Sequence, residues 1–438
     1  MEMKKDNRNS VVAFGAHGWF TIIYMLLMFW FYVGMINDGS NNIAGSIAES
    51  MLGSAEKIGL ISNCNAIAGI LGVLIFLVIG VINNRIGPRK MSGINCIIAG
   101  ITYIGVLNAP NLVFYTIMMA ITCGTIMSAG YLCGGVLVAN WFPKKKGIVM
   151  GYTTMGHNLA TAAFVPLIVG LVNVLGVNRA CYPISIGCIV LGILGLLFIR
   201  DTPFERNMYP DNVSKEIYEK YYDTTDATDD DGGWTTGKLL KNGQVWAAAV
   251  TTGIFQICSV GTMSQMVNRT TNGFGFSVTA AVTMMSVCAV VGVIGSFLIG
   301  VLDQKIGTKK AMIMFGCWYA CALLCNFTNT MVGFWISIIM IGIGIGGSAN
   351  FTTSLPTSIF GRQGYNKVNS VVFPIQGIIT ALTFAINGFV MTITNGNVRY
   401  AYLIDACLAL VNVLIIVFFV KDHKYNKDWM AEQAAKEK

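Results

Sequence analysis

Charge is what this sequence has least of. Asp, Glu, Lys and Arg together make up 11% of its 438 residues, while 54% are hydrophobic and the mean hydropathy is +0.63. No soluble core requires that much apolar sequence. Apolar runs of about 20 residues, enough to cross a bilayer core about 30 Å thick, recur along the chain and predict a helical membrane protein. The runs do not alternate apolar and polar, which excludes the strands of an outer-membrane barrel. There is no CxxC and no Cys/His spacing suited to a metal. The twelve cysteines stand singly in apolar segments and read as small fillers, so no disulfide, metal or other cofactor is expected. No Walker A motif is present, which excludes an ATP-driven pump within this chain. With only His17, His157 and Asp405 placed inside spans, a membrane-embedded enzyme lacks a convergent set of acids and bases.

The apolar runs number twelve. The first six cover about 12–35, 57–82, 90–108, 111–140, 147–174 and 180–199. The polar stretch 200–242 is a linker, and six more runs cover about 243–267, 277–301, 309–327, 330–356, 366–393 and 398–420, before a Lys-rich tail at 421–438. The expected domains are therefore 1–199 and 243–420. The opening MEMKKDNRNS is polar, and the run after it lacks a small-residue cleavage site, so it reads as a retained first span. With both termini placed inside, the inward segments hold 25 of the 29 Lys and Arg; the outward ones hold only Lys57, Arg179, Arg269 and Arg399. This bias predicts cytoplasmic termini in a cell membrane and accounts for the net charge of +8 without a nucleic-acid partner.

One loop occurs twice. Residues 80–90 read GVINNRIGPRK and residues 300–310 read GVLDQKIGTKK, so Gly80, Arg85, Gly87, Arg89 and Lys90 are answered 220 residues later by Gly300, Lys305, Gly307, Lys309 and Lys310. Two similar halves follow. The loop resembles the signature G-x-x-x-D-R-x-G-R-[RK] of the major facilitator superfamily, with Asn84 where that pattern has Asp. Trp141, Phe142, Lys145, Lys146, Gly147 and Gly151 are similar to the W-F-x-x-[RK]-[RK]-G-x-x-x-G pattern of the oxalate/formate antiporter and monocarboxylate porter group. The resemblance implies an all-α fold of twelve transmembrane helices in two pseudo-symmetric six-helix bundles. It also implies secondary transport by alternating access, with gating at Gly80, Asn84, Arg85, Gly87, Arg89, Gly300, Lys305 and Gly307. Without the acid at 84, the latch that this loop provides in the family is expected to be weaker or differently built.

In that fold the cargo sits near midplane between the halves. Polar residues at helical spacing on the implied lining spans are the candidate binding set. They are His17, Thr21 and Tyr24 (span 1), Tyr131 (span 4), His157 (span 5), Gln256 and Ser259 (span 7), Thr283 (span 8), Asn350 (span 10), and Gln376, Thr380 and Thr383 (span 11). The competing reading is that the hydroxyls tie helices together. His157 has the intrinsic pKa of a proton carrier. No Lys or Arg falls mid-span in spans 7, 8, 10 or 11, which disfavours a dianion such as oxalate, because a buried charge needs a fixed partner. The cargo expected is a monocarboxylate-like anion or a neutral polar metabolite, moved with protons or by exchange, by a monomer in the bilayer. An exporter of amphipathic drug-like or steroid-like molecules is the alternative, favoured by the aromatic-rich span 1. A non-transporting sensor of the same fold is a further one. Gly130 and Gly134, and the glycine-dense 341–353, read either as sliding contacts or as tight static packing, and Pro166 and Pro374 as kinks.

Overall fold

In a computed structural model, residues 14–143, 146–221, 234–361 and 365–426 are described. Lys4, Lys5, Arg8, Lys144, Lys145, Arg362, Lys427, Lys436 and Lys438, all used in the charge count, lie outside them. Twelve helices among the described residues are long and apolar enough to cross a membrane: Gly15–Asn42, Ala55–Asn83, Pro88–Leu107, Leu112–Trp141, Tyr152–Leu175 and Val177–Phe198, then Gly243–Ser264, Val278–Asp303, Thr308–Phe327, Met331–Phe360, Lys367–Ile393 and Arg399–Phe419. They are spans 1–12 below. Two large cores form, one around Tyr103, Tyr115 and Phe164 of the first six spans, the other around Phe255, Phe315 and Phe351 of the last six. Outward faces carry exposed apolar side chains such as Val81, Ile294 and Phe418, as lipid requires.

Small residues set the helix spacing. Span 3 packs on span 6 where a Cβ at Gly93 would lie 2.9 Å from the Gly192 carbonyl oxygen. Across the two halves, span 2 packs along span 11, and a Cβ at Gly69 would lie 2.9 Å from the Ala381 Cβ. Gly130 meets the Phe29 ring of span 1, while Gly344 and Gly347 pack on Tyr319 and Phe315 of span 9. These two glycine groups serve close helix contacts here. Pro374 sits inside the continuous helix Tyr365–Ile393, and span 5 takes a π-helical turn at Ala160–Phe164 just before Pro166.

The repeated loop is built alike in both halves. Gly87 has φ +92° and Gly307 φ +87°, each ending one span and starting the next. Behind Gly87, the Arg89 backbone N–H donates to Asp201 Oδ1 at 2.7 Å, and the Arg89 guanidinium lies 3.9 Å from Glu205. Behind Gly307, the Lys309 N–H donates to Asp422 Oδ2 at 3.5 Å, and Lys309 Nζ donates to the carbonyls of Val417 and Val420 at 3.0 and 2.8 Å. A carboxylate beyond span 6 or span 12 thus caps the N-terminus of span 3 or span 9, where the helix dipole favours negative charge. Asn84 lies in the helix, but its side chain falls outside what is described. Arg85 and Lys305 are exposed, and Gly80 and Gly300 face Leu132 and Asn350 at ordinary contact distances.

Two sequence expectations change. Span 1 does not stop near 35. It runs on to Asn42, through a π-helical turn at Val33–Asn37, and takes Asp38 with it. The polar run NDGSNN stays helical because the bundle supplies its partners. Ser40 bonds the Tyr103 hydroxyl at 3.0 Å, Asn65 donates to Asn41 at 2.9 Å, and Tyr115 donates to Asn65 at 2.8 Å. Arg269, counted above as an outward loop residue, is 2% exposed on the helix Met266–Phe274. Its Nε donates to Asn326 Oδ1 at 2.8 Å, and its Nη2 to the Asn326 carbonyl at 2.9 Å and Asn329 Oδ1 at 2.8 Å. Arg399 donates to the Phe327 carbonyl at 2.7 Å. Both guanidinium groups therefore close the C-terminal end of span 9, the end that favours a cation.

Candidate functional site

Between the halves lies a cavity of about 110 Å³. Three π-helical turns face it from the first half: Val33–Asn37 in span 1, Ser128–Cys133 in span 4 and Ala160–Phe164 in span 5. A π turn inserts one residue into the α repeat and displaces the side chains that follow, a feature frequent at functional sites. Here the turns bring Asn37, Asp38, Tyr131 and Thr161 to the cavity wall. Phe164 of span 5 packs on Gly34 and Gly39 of span 1, where a side chain would collide with its ring.

Asp38 is the acid of the site. It is 4% exposed, and the Thr161 hydroxyl donates to its Oδ2. Among the described residues no Lys or Arg pairs with it, and none lines the cavity. His157 lines the same wall, its ring centroid 4.8 Å from Phe29 and 6.0 Å from Tyr131; its Nε2 is buried without a hydrogen-bond partner among the described residues. The opposite wall, from spans 7, 10 and 11, is uncharged. Gln256 and Gln376 donate long hydrogen bonds to the Thr352 hydroxyl, at 3.5 and 3.4 Å, and Thr252 donates to Gln376 Oε1 at 3.3 Å.

Both approaches to the cavity are narrowed. On the side away from the termini, Asn42 Nδ2 donates to the Met263 carbonyl at 3.3 Å, joining span 1 to span 7, and Gly59 packs on Gly388 and Thr392. On the terminus-bearing side, Tyr131 of span 4 meets Phe373 of span 11 with centroids 5.9 Å apart, and Met127 packs near Gly377.

Of the binding candidates, the fold gathers Tyr131, His157, Gln256, Ser259, Gln376 and Thr380 around this cavity. The others are placed elsewhere. His17 lies 3.3 Å from Arg206 near the terminus-bearing surface, and Thr21 bonds the His17 carbonyl at 2.9 Å within its own helix. Tyr24 donates to Ser92 of span 3 at 3.0 Å. Thr283 is exposed on span 8 and bonds its own helix. Asn350 donates to the Ser296 carbonyl at 2.7 Å, and Thr383 is buried beside Gly261. Sequence reasoning missed Asp38, Tyr32, Asn37 and Phe373. The available signal was Asn37-Asp38, one helical turn beyond the apolar run of span 1. Among the described residues no three His, Cys, Asp or Glu are grouped as metal ligands.

The family model of the Major Facilitator Superfamily matches residues 20–383. The chain is 20% identical over 310 residues to the uncharacterised MFS-type transporter YhjX of Escherichia coli (strain K12), covering 69% of this chain and 71% of that one. It is 25% identical over 347 residues to the oxalate:formate antiporter of Oxalobacter formigenes, covering 77% of each. Among solved structures, a D-xylose-proton symporter superposes with a TM-score of 0.68 at 13% identity, over 93% of this chain and 98% of that one. A nucleoside transporter superposes with a TM-score of 0.66 at 13% identity, over 92% and 99%. The structural likenesses establish the fold. Together with the family match, the twelve spans and the cavity between two halves, they lead to one conclusion: this chain is a multi-pass membrane protein of the Major Facilitator Superfamily, a family of secondary transporters.

Proposed function

We propose that the protein carries a small polar solute across a cell membrane by alternating access. The solute is a neutral metabolite or a monocarboxylate-like anion, driven by protons or by exchange. The observation that carries this reading is the set of polar groups in the cavity: amides and hydroxyls with a single carboxylate and a single imidazole, set among aromatic and aliphatic side chains, and no Lys or Arg among the described lining. A dianion there would face Asp38 with no cation to offset it, at a cost of several kcal/mol. On this reading Gln256, Ser259, Gln376 and Thr380 bind solute, His157 carries the proton, and the loops at Gly87 and Gly307 gate access. Both termini lie in the cytoplasm, the protein works as a monomer, and it catalyses no covalent chemistry. Counterflow into proteoliposomes loaded with single solutes tests this: exchange of monocarboxylates or neutral solutes supports it, and exchange of oxalate alone contradicts it.

A second reading, export of amphipathic drug-like molecules, draws on the aromatic wall of Tyr32, Tyr131, Phe373 and Phe384. Efflux of amphipathic dyes from energised cells, with no counterflow of small metabolites, would favour it.

A further inference from the structure

The two walls of the cavity differ in kind. The first half presents the Asp38 carboxylate, which receives a single side-chain hydrogen bond among the described residues, from Thr161. The rings of Tyr32 and Tyr131, 5.6 Å apart, line the same cavity, with Phe373 beyond Tyr131. The polar groups of the second half are amides and hydroxyls, among them Gln256, Ser259, Thr352 and Gln376, set among apolar side chains such as Met263 and Phe384.

A carboxylate in a membrane interior is costly unless a cation or several donors accompany it. One hydroxyl is a small share of what an ionised carboxylate accepts, which is about four hydrogen bonds. Among the described residues no Lys or Arg accompanies Asp38, and no ion pair joins it to His157, the one lining side chain that becomes cationic on taking up a proton. No Lys or Arg among the described residues lines the cavity, and its remaining titratable lining groups are His157, Tyr32, Tyr131 and Cys123. His157 is held among rings, with Nε2 unpartnered among the described residues. Aromatic rings lining the same cavity as a carboxylate make it cation-receptive, because ring quadrupoles attract a desolvated ammonium by about 2 kcal/mol or more. The partner missing from the site has the chemistry of an organic ammonium.

We infer that the solute bears an ammonium group that pairs with Asp38 against Tyr32 and Tyr131, while its other end accepts hydrogen bonds from Gln256 and Gln376. This inference rests on the cavity being the solute site, and it replaces the free monocarboxylate with an amine or a zwitterion. The end facing the amides is uncharged in a simple amine and a carboxylate in an amino acid.

The test uses purified full-length protein in detergent and two matched probe sets: propylamine, alanine and propionate; and phenethylamine, phenylalanine and phenylacetate. Ligand binding to the folded state raises the melting temperature. At least one amine or amino acid is expected to raise it, and neither propionate nor phenylacetate. Asp38→Asn, checked for an unliganded melting temperature close to wild type, weakens that binding by at least about tenfold, the loss expected for one charge-assisted hydrogen bond. Asp38→Glu retains part of it. A shift with phenylalanine or alanine alone assigns a zwitterion, and one with the amines alone a simple amine. No shift with any amine or amino acid, equal shifts with the amine-free acids, or unchanged affinity in Asp38→Asn overturns the inference. If the acids bind and Gln376→Ala weakens them, the inference fails while the cavity stands. If binding ignores both Asp38 and Gln376, the cavity is not the solute site and both readings fail.

Discussion

The Thr161 hydroxyl of span 5 donates to the Asp38 carboxylate of span 1, joining two π-helical turns across the wall of the central cavity. Removing that donor while keeping shape, as in Thr161→Val, leaves a buried carboxylate with one partner fewer. The expected loss is about 1.5–3 kcal/mol, the range for a hydrogen bond to a charged group. Chemical denaturation in detergent reads this, and a loss below about 0.5 kcal/mol would show that water or solute already satisfies the oxygen.

Asp201 caps span 3 through the Arg89 N–H at 2.7 Å, and Asp422 caps span 9 through the Lys309 N–H at 3.5 Å. Capping substitutions to Ala typically cost about 0.5–2 kcal/mol. Asp201→Ala is expected at the upper end of that range and Asp422→Ala at the lower, measured as unfolding free energies in the same detergent. Equal effects would mean that the distance difference carries no energetic weight.

Gly87 has φ +92° with ψ +151°, a backbone region that side chains scarcely enter, and a Cβ there would lie 3.1 Å from Asp201 Oδ2. Gly307 has φ +87°, but its nearest obstacle, Asp422 Oδ2, is 3.9 Å away. Each Gly→Ala change costs about 1–3 kcal/mol in backbone strain, with Gly87→Ala the more severe. Comparing the two melting temperatures checks the order.

Tyr131 and Phe373 narrow the cavity toward the terminus-bearing side. In a variant retaining Cys123 alone among the cysteines, Phe373→Ala is expected to raise labelling of this cavity-lining thiol by a membrane-impermeant maleimide added from that side. Labelling from the other side, where spans 2 and 11 pack through Gly59 and Gly388, should not change.

The fold was largely legible in the sequence because each span is a long apolar run, and because one loop recurs 220 residues apart. The cavity was legible only in part. Periodicity shows that Gln256, Gln376 and Thr283 lie on polar stripes, but not which neighbour each stripe meets; the fold turns Gln256 and Gln376 inward and leaves Thr283 exposed. Asp38 was hidden for a different reason. NDGSNN has turn composition, and its helix persists only through tertiary hydrogen bonds such as those among Asn41, Asn65 and Tyr115. Propensity is overridden there by packing. The acid of the loop contact was hidden likewise, since Asp201 lies 112 residues from Arg89 in sequence.

The most direct test of the central claim is equilibrium binding of a solute that the wild-type protein exchanges in proteoliposomes, compared across four alanine variants. If the cavity between the halves is the solute site, Gln256→Ala and Gln376→Ala each weaken binding by about tenfold, as loss of a direct hydrogen bond predicts, while Thr283→Ala and Asn350→Ala stay within about twofold of wild type. Full affinity in both glutamine variants, with loss in Thr283→Ala or Asn350→Ala, would place the solute elsewhere and contradict the account.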